Sequence, residues 1–301
     1  MRLKLKLKYI VYIYRQMVNT IKNKGNPSGE FEAFVEKLDR QPSPSSIKVY
    51  QTQYNKIYGG IGKNISEATV EELTAFIDTI ESKNTKKNLL NIMVMVKKQS
   101  NKAEADILYD LREALRDDIM VKVQEKNEVL EKTLPSYEDM LTYISGLTGK
   151  AFIVNYLFLN YYVRNKDVDV QITTDKNTDT TKGNWLVVTG VNSVEYIRND
   201  YKTVKAHGSQ THHIKNKKFY QTVKTFMGDD TVKRLFDGKQ ISKEVKDLTY
   251  KELTETQFLK VLVYHFTEQL DVHTLLQIEK LRGTNMNLLL RNYNIRFQVP
   301  T

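Results

Sequence analysis

A charged side chain at the end of a buried helix is the first feature of this sequence that needs a chemical explanation. Residues 151–163 are apolar on nearly all sides, which predicts a helix inside the core, and Arg164 follows them directly. A guanidinium in such a place costs free energy unless it is paired, and Asp167 stands three residues further on. The two could form a structural ion pair, or the planar guanidinium could hold an anion such as phosphate through two hydrogen bonds. The spacing leaves both interpretations open.

Residues 201–228 form a second unusual stretch, because they contain no acidic residue. An ordinary solvated face mixes both signs of charge, so a segment this basic favours contacts with a polyanion. Its basic residues are Lys202, Lys205, His207, His212, His213, Lys215, Lys217, Lys218 and Lys224. The adjacent histidines could also indicate zinc, but the chain has no cysteine and no acidic cluster lies nearby in sequence. Phosphate contacts, or simple exposure, explain these histidines better.

The third stretch, residues 281–293, predicts a helix end, a turn and a short helix. Gly283 can end the first helix because glycine adopts left-handed backbone angles at little cost, and Asn285 can cap the next. Three consecutive leucines give the short helix an apolar side, and Tyr293 falls at its far end. Tyr293 is either one more tyrosine that packs the core or a hydroxyl placed for chemistry.

A tyrosine ten residues after the glycine of such a turn resembles the C-terminal motif of the tyrosine recombinases, the phage-integrase family. Arg164-x-x-Asp167, between a buried helix and a predicted strand, resembles the family's first catalytic arginine with its acidic partner. Lys202-Thr203 followed by a glycine is similar to the family's hairpin lysine, with Lys205 as the alternative. The resemblance covers roughly residues 31–296, and its helix signals before residue 115 are similar to those of the family's core-binding domain.

The resemblance implies a reaction and a set of roles. In that family the tyrosine attacks a DNA phosphate and forms a 3′-phosphotyrosine link, with no metal and no cofactor. Tyr293 would then be the nucleophile, Arg164 and Lys260 would offset charge on the phosphate, and Lys202 would be the general acid. The supporting residues would be Asp167, Thr284 and Arg291. The implied DNA contacts are Lys48, Lys83, Lys86, Lys87, Lys205, His212, His213 and Lys215.

Two positions depart from the family's pattern. Where the family has His-x-x-Arg, this chain has Gln257 to Lys260, and a lysine supplies a point charge without the planar fork. After Gly283 the family often has histidine or tryptophan, and this chain has Thr284. Arg282 and Arg291 are both close to Tyr293 in sequence and either could replace the missing arginine, but spacing does not choose between them.

Composition and charge agree with a nucleic-acid partner. The formal net charge is +10, which favours DNA first and an anionic membrane surface second. No stretch approaches the roughly 18 consecutive apolar residues of a membrane span. There is no cysteine, as in reducing, intracellular compartments, and no glycine-rich phosphate loop, so we expect no disulfide, metal or nucleotide cofactor. The short apolar run after the basic N-terminus does not match a signal peptide.

Helical periodicity and breakers predict two domains. Residues 1–30 are a basic extension, and residues 31–132 carry five amphipathic helices, the last from about Lys102 to Leu115. Leu134-Pro135 marks the linker, because the residue before proline avoids the helix. Residues 133–301 predict an α+β domain, mostly helical, with a small antiparallel sheet between helices. Its strands are expected near Val170, at 185–188, 194–197, 202–205 and 211–214, followed by helices up to Tyr293.

The resemblance to the tyrosine recombinases implies a DNA-breaking and DNA-rejoining enzyme that assembles as a tetramer on double-stranded DNA, as in a mobile element or large DNA virus. One alternative keeps the fold but has a decayed site and only binds DNA or serves as a structural protein, which the missing His-x-x-Arg favours. Another is a basic two-domain adaptor for RNA or an acidic protein.

Overall fold

The structure, a computed structural model, describes residues 29–39, 41–236, 238 and 240–296. It divides the chain into two units, Met1–Val123 and Gln124–Thr301. The predicted basic extension lies outside the described residues except for its last two positions. No helix in the described ranges combines the length and the apolar composition of a membrane span.

The first unit is built from helices, as predicted. They are α1 (Glu30–Glu36), α2 (Pro44–Ile61), α3 (Val70–Asp78), α4 (Lys83–Ser100) and the first part of α5 (Lys102–Thr133). The predicted apolar stripes form its core, which includes Phe31, Phe34, Tyr54, Ile57, Leu73, Leu89 and Met93. α2 continues through Gly59 and Gly60 and is capped at its C-terminus by Gly62, whose φ is +75°.

Side-chain caps explain where these helices begin. Ser43, with Pro44 in the first helical position, caps α2. Thr69 and Glu72 form a reciprocal capping box at the start of α3. Ser82 caps α4 by accepting a hydrogen bond from the Thr85 amide.

The fifth helix is longer than its amphipathic pattern predicts. α5 continues through residues 116–133, which contain no glycine or proline and many good helix formers. It ends at Thr133, just before Leu134-Pro135, and the division between the two units falls inside it, after Val123. Ser136 then caps the next helix by accepting a hydrogen bond from the Asp139 amide at 3.0 Å.

The second unit is α+β and mostly helical, as predicted. Its helices are α6 (Tyr137–Gly146), α7 (Gly149–Tyr161), α8 (Val204–His207), α9 (Lys217–Met227), α10 (Ile241–Leu248), a 3-10 turn (Tyr250–Glu252), α11 (Glu255–Glu268), α12 (Val272–Arg282) and α13 (Met286–Tyr293). α7 lies in the core, with Ile153, Val154 and Leu157 fully buried, which agrees with its uniformly apolar sequence.

The sheet is mixed, so the expectation of an antiparallel sheet was wrong. Its strands are β1 (Val170–Thr173), β2 (Asn184–Gly190), β3 (Ser193–Arg198), β4 (Gln210–Ile214) and β5 (Val232–Arg234), in the order β4-β3-β2-β1-β5. β1 runs parallel to β2, and the other neighbours are antiparallel. Alternation along a strand reports its buried face but not the direction of its partner, and β5 is too short to show alternation.

The strand expected at 202–205 is instead the short helix α8. The Tyr201 hydroxyl donates a hydrogen bond to the Gly208 carbonyl at 2.7 Å, which closes this segment into a tight turn between β3 and β4. The basic segment therefore presents Lys202 and Lys205 from a turn rather than from a hairpin strand.

Candidate active site

The turn between α12 and α13 follows the sequence prediction closely. Gly283 has a φ of +61° and ends α12, and the Thr284 amide donates to the Glu279 carbonyl at 3.1 Å. Asn285 caps α13 by accepting a hydrogen bond from the Leu288 amide at 2.8 Å. Tyr293 is the last residue of α13, half-buried against the core.

Arg282, the last residue of α12, joins three other segments. Its side chain is 3% exposed. Its Nη1 atom donates to the carbonyls of Tyr162 and Val163, both at 3.0 Å, and so satisfies the C-terminal end of α7. Its Nη2 atom donates to the Glu255 carboxylate and, at 3.3 Å, to the Tyr293 hydroxyl. One guanidinium thereby holds the ends of α7 and α13 and the start of α11 together.

Arg164 lies in the loop after α7 and keeps an unsatisfied donor. The helix ends at Tyr162, whose left-handed φ of +51° turns the chain into this loop. The Arg164 Nη1 atom is buried and has no hydrogen-bond partner among the described residues. Burial and the neighbouring Arg282 lower the pKa of Arg164, whereas Asp167, Tyr293 and Glu255 oppose that shift. A half-buried guanidinium whose buried Nη1 atom has no acceptor is a candidate site for an anion.

The expected ion pair between Arg164 and Asp167 is replaced by another. Asp167 pairs with Arg198 of β3 at 2.7 Å, and both side chains are fully buried. The Arg164 backbone amide, rather than its guanidinium, donates to Asp167 at 3.1 Å. Because Arg198 neutralises Asp167 and Arg282 is bound to Glu255, Arg164 is the arginine of this group without a salt-bridge partner of its own among the described residues.

A pocket of about 690 Å³ opens beside Arg164. Its charged and polar lining residues are Arg164, Lys202, Thr203, His207, Glu279, Lys280, Thr284 and Asn285. It therefore brings together Arg164, Lys202 and Thr284, three residues that the sequence singled out, whereas Tyr293 and the exposed Lys205 do not line it. Thr203 packs directly over Gly283, where any side chain would overlap it.

Residues 257–260, which were expected to supply the second phosphate contact, make structural contacts instead. Gln257 forms a reciprocal capping box with Thr254 at the start of α11. Lys260 is buried, its pKa is lowered by burial, and its amine donates to the Asn127 side chain of α5. It does not line the pocket. Arg282 occupies the place beside Tyr293 instead, and Arg291 has no hydrogen bond or ion pair within the described residues.

Sequence reasoning did not single out Glu255. It is the first residue of α11, and its two oxygens accept hydrogen bonds from Arg282 and, at 2.8 Å, from the Asn165 backbone amide. The cap formed by Thr254 and Gln257 marks this helix start in the sequence. Nothing local in the sequence, however, connects Glu255 to residues 27 and 90 positions away.

The predicted DNA contacts differ in their charge state and exposure. His212 lies half-buried near the rings of Tyr161 and Tyr196, and burial together with Arg198 and His213 lowers its pKa to about 4. It is therefore neutral at pH 7 and offers no cation to a phosphate. His213 is exposed and lies 3.3 Å from Glu195, and Lys205 and Lys215 are exposed.

In the first unit, the predicted contacts lie on α2 and at the start of α4. Lys48 is exposed, whereas Lys83 pairs with Asp118 and Lys86 lies 3.7 Å from Asp78. Lys87 has no ion pair among the described residues. Exposed ion pairs of this kind are weak, so a phosphate could displace the carboxylates at little cost.

No group of three or more histidine, cysteine, aspartate or glutamate side chains in the described ranges is arranged to hold a metal ion. Models of known protein families, curated proteins and solved structures were all compared with this chain, and none matches it.

Proposed function

We propose that this chain breaks and rejoins DNA through a covalent 3′-phosphotyrosine intermediate, as tyrosine recombinases do. The observation that carries the proposal is the convergence of Tyr293, Arg282 and Arg164. The phenol is hydrogen-bonded to the buried guanidinium of Arg282. The half-buried guanidinium of Arg164, which keeps an unmet donor, lies within electrostatic range of both residues and lines the pocket that also contains Lys202.

In this mechanism the scissile phosphate occupies the pocket and Arg164 donates to a non-bridging oxygen. The Tyr293 hydroxyl loses its proton and its oxygen bonds to phosphorus, while the bond to the 5′ oxygen breaks. Lys202 gives a proton to that leaving oxygen. Arg164 and Arg282 offset the charge that develops on the phosphate, and loss of one such group typically costs about 100-fold or more in rate. Rejoining is the same sequence in reverse.

The proposed substrate is double-stranded DNA, bound inside the cell by a self-associated tetramer. Support comes from the net charge of +10 and from the acid-free segment 201–228, from which Lys202, Thr203 and His207 reach the pocket. Phosphate contacts of this kind release counterions, so binding weakens steeply as salt rises.

A second candidate function is DNA binding without catalysis. Two observations favour it. Gln257 caps a helix and Lys260 is bound to Asn127, so neither is free to contact a phosphate. Arg282 also donates a hydrogen bond to Glu255. In this alternative Arg282 is a structural residue, Arg164 holds an uncleaved phosphate, and Tyr293 packs the core.

A supercoiled plasmid library that carries randomised inserts separates the two functions. The enzyme reading predicts that some plasmids relax without a metal ion or nucleotide and that Tyr293→Phe abolishes relaxation. The hypothesis of binding without catalysis predicts that the wild-type protein and Tyr293→Phe both bind duplex DNA, more weakly as salt rises. It predicts that neither protein relaxes any plasmid. Duplex binding that does not change between low and moderate salt would contradict both readings. Tyr264→Phe, which removes a hydroxyl beside Arg296 outside the site, is the matched control.

A further inference from the structure

The Glu255 carboxylate and the Tyr293 hydroxyl share one nitrogen atom. One carboxylate oxygen of Glu255 and the hydroxyl oxygen of Tyr293 each accept a hydrogen bond from Nη2 of Arg282. The phenol acts as the acceptor in this contact, so its own proton remains available. No acceptor for that proton lies within hydrogen-bond distance among the described residues.

An attacking phenol needs a group that removes its proton. A phenol in water has a pKa of about 10, so at neutral pH nearly all of it is protonated and a positioned base speeds the attack. Asp167 is a poor candidate because it is fully buried and ion-paired with Arg198. Glu279 lines the pocket but shares no hydrogen-bond partner with Tyr293.

We infer that Glu255 is the proton acceptor for Tyr293, an inference that rests on the proposed DNA cleavage. As the tyrosine oxygen bonds to phosphorus, the phenolic proton passes to a bridging water, and that water gives one of its own protons to the carboxylate. The 5′ oxygen leaves with the proton of Lys202. During rejoining Glu255 returns its proton to Tyr293, so no proton is gained or lost over the full cycle.

The surroundings of Glu255 fit this role. A carboxylate has about four acceptor positions, and within the described part of the chain two hydrogen bonds, from Arg282 and the Asn165 amide, occupy them. The charged and titratable groups around it are Arg282 from α12, Arg164 from the loop after α7 and Tyr293 from α13.

Single-turnover cleavage of a nicked duplex, measured between about pH 5 and pH 9, tests the inference. The duplex carries a sequence selected from the relaxed plasmids. For the wild-type protein we expect a rate that changes little across this range, because the carboxylate rather than solvent removes the phenolic proton. Glu255→Gln should be about 100-fold to 10,000-fold slower at neutral pH. Its rate should then climb about tenfold per pH unit, because solvent must ionise the phenol.

Two further variants separate proton transfer from a structural role. Glu255→Asp keeps a carboxylate and should keep the shape of the wild-type pH profile at a reduced rate. Glu244→Gln removes a carboxylate that pairs with Lys150 away from the site and should leave the rate unchanged. DNA affinity and thermal unfolding of Glu255→Gln, measured in parallel, show whether the variant is folded and bound.

The outcomes are distinct. If the cleavage rate of Glu255→Gln depends on pH in the same way as that of the wild type, even at a lower level, the inference is overturned. It is also overturned if Glu255→Gln cleaves at the wild-type rate at every pH. Both results leave the proposed cleavage standing, provided that the adduct still requires Tyr293. If the wild-type protein forms no adduct on any duplex, the proposed function and this inference fail together.

Discussion

The Nη2 atom of Arg282 lies 3.3 Å from the hydroxyl oxygen of Tyr293, and the guanidinium carbon lies 5.2 Å from the centre of the tyrosine ring. The two residues end consecutive helices, separated by the Gly283 turn. This contact gives the phenol a cationic neighbour. It also makes the position of Tyr293 depend on the same arginine that holds Glu255 and the end of α7.

Replacing Arg282 by lysine should therefore reduce both activity and stability. Lysine keeps the charge but cannot reach four acceptors from one planar group. We expect covalent adduct formation to slow by about 100-fold or more. The free energy of unfolding, measured by urea denaturation, should fall by about 1–3 kcal/mol, because buried carbonyls lose their donors. Arg234→Lys alters an exposed pair with Asp169 and serves as the control, within about 1 kcal/mol of wild type. An Arg282→Lys protein with wild-type activity would contradict this account.

Lys202→Ala should slow strand cleavage far more than it weakens duplex binding, because a general acid acts in the transition state. A substrate with a 5′-thiol leaving group needs little protonation and should restore the rate. Lys205→Ala is the matched comparison, since Lys205 is exposed on the same segment but does not line the pocket. If the 5′-thiol substrate restores the cleavage rate of Lys205→Ala but not that of Lys202→Ala, Lys205 is the proton donor.

Gly283→Ala and Gly59→Ala should change stability in opposite directions. At Gly283 the positive φ and the contact with Thr203 both exclude a side chain, so alanine should lower the free energy of unfolding by about 1–3 kcal/mol. Alanine should also displace the segment that carries Lys202 and slow cleavage. Gly59 lies inside α2 with open space around it, and alanine there should stabilise the protein by about 0.5–1 kcal/mol. Urea denaturation of both variants is the measurement, and a stabilised Gly283→Ala would refute this packing.

His212 should make the protein less stable in acid. Its pKa is lowered to about 4 in the folded state, and the value for an exposed histidine is about 6.5. Between these values the unfolded chain binds the proton and the folded chain does not, so stability is present above about pH 6.5 and is lost as pH falls towards 4. For a half-buried group we expect about 1–2 kcal/mol after solvent screening.

Urea denaturation from about pH 7 to pH 4 should show a shallower acid loss for His212→Gln than for wild type. His213→Gln, at the exposed neighbouring position, should follow wild type. Identical pH dependence in all three proteins would mean that His212 is accessible to protons in the folded state.

Local signals predicted much of this fold. The glycine turn at Gly283, the cap at Asn285 and the burial of α7 each depend on residues within a few positions of one another, and each is found where the sequence indicated. Lys202 and Arg164, which the resemblance assigns to one site, both line the pocket, and their roles remain predictions.

Features that depend on distant contacts were missed. Arg282 reaches Tyr162, 120 positions earlier in the chain, and Lys260 reaches Asn127, 133 positions earlier. Spacing along the chain carries no signal for such pairs. The parallel pairing of β1 with β2 has the same origin, because strand direction is set by the partner. Asp167 was assigned to the nearest arginine in sequence, although the fold pairs it with Arg198 from β3.

The most direct test of the central claim is to identify the residue that becomes attached to DNA. Wild-type protein and Tyr293→Phe are incubated with a library of nicked duplexes of randomised sequence, adducts are captured under denaturing conditions, and the bound peptide is mapped by mass spectrometry. The account predicts an adduct whose nucleotide is attached to Tyr293 and which is lost in Tyr293→Phe. An adduct on another residue, an adduct that persists in Tyr293→Phe, or no adduct despite salt-dependent duplex binding would contradict it.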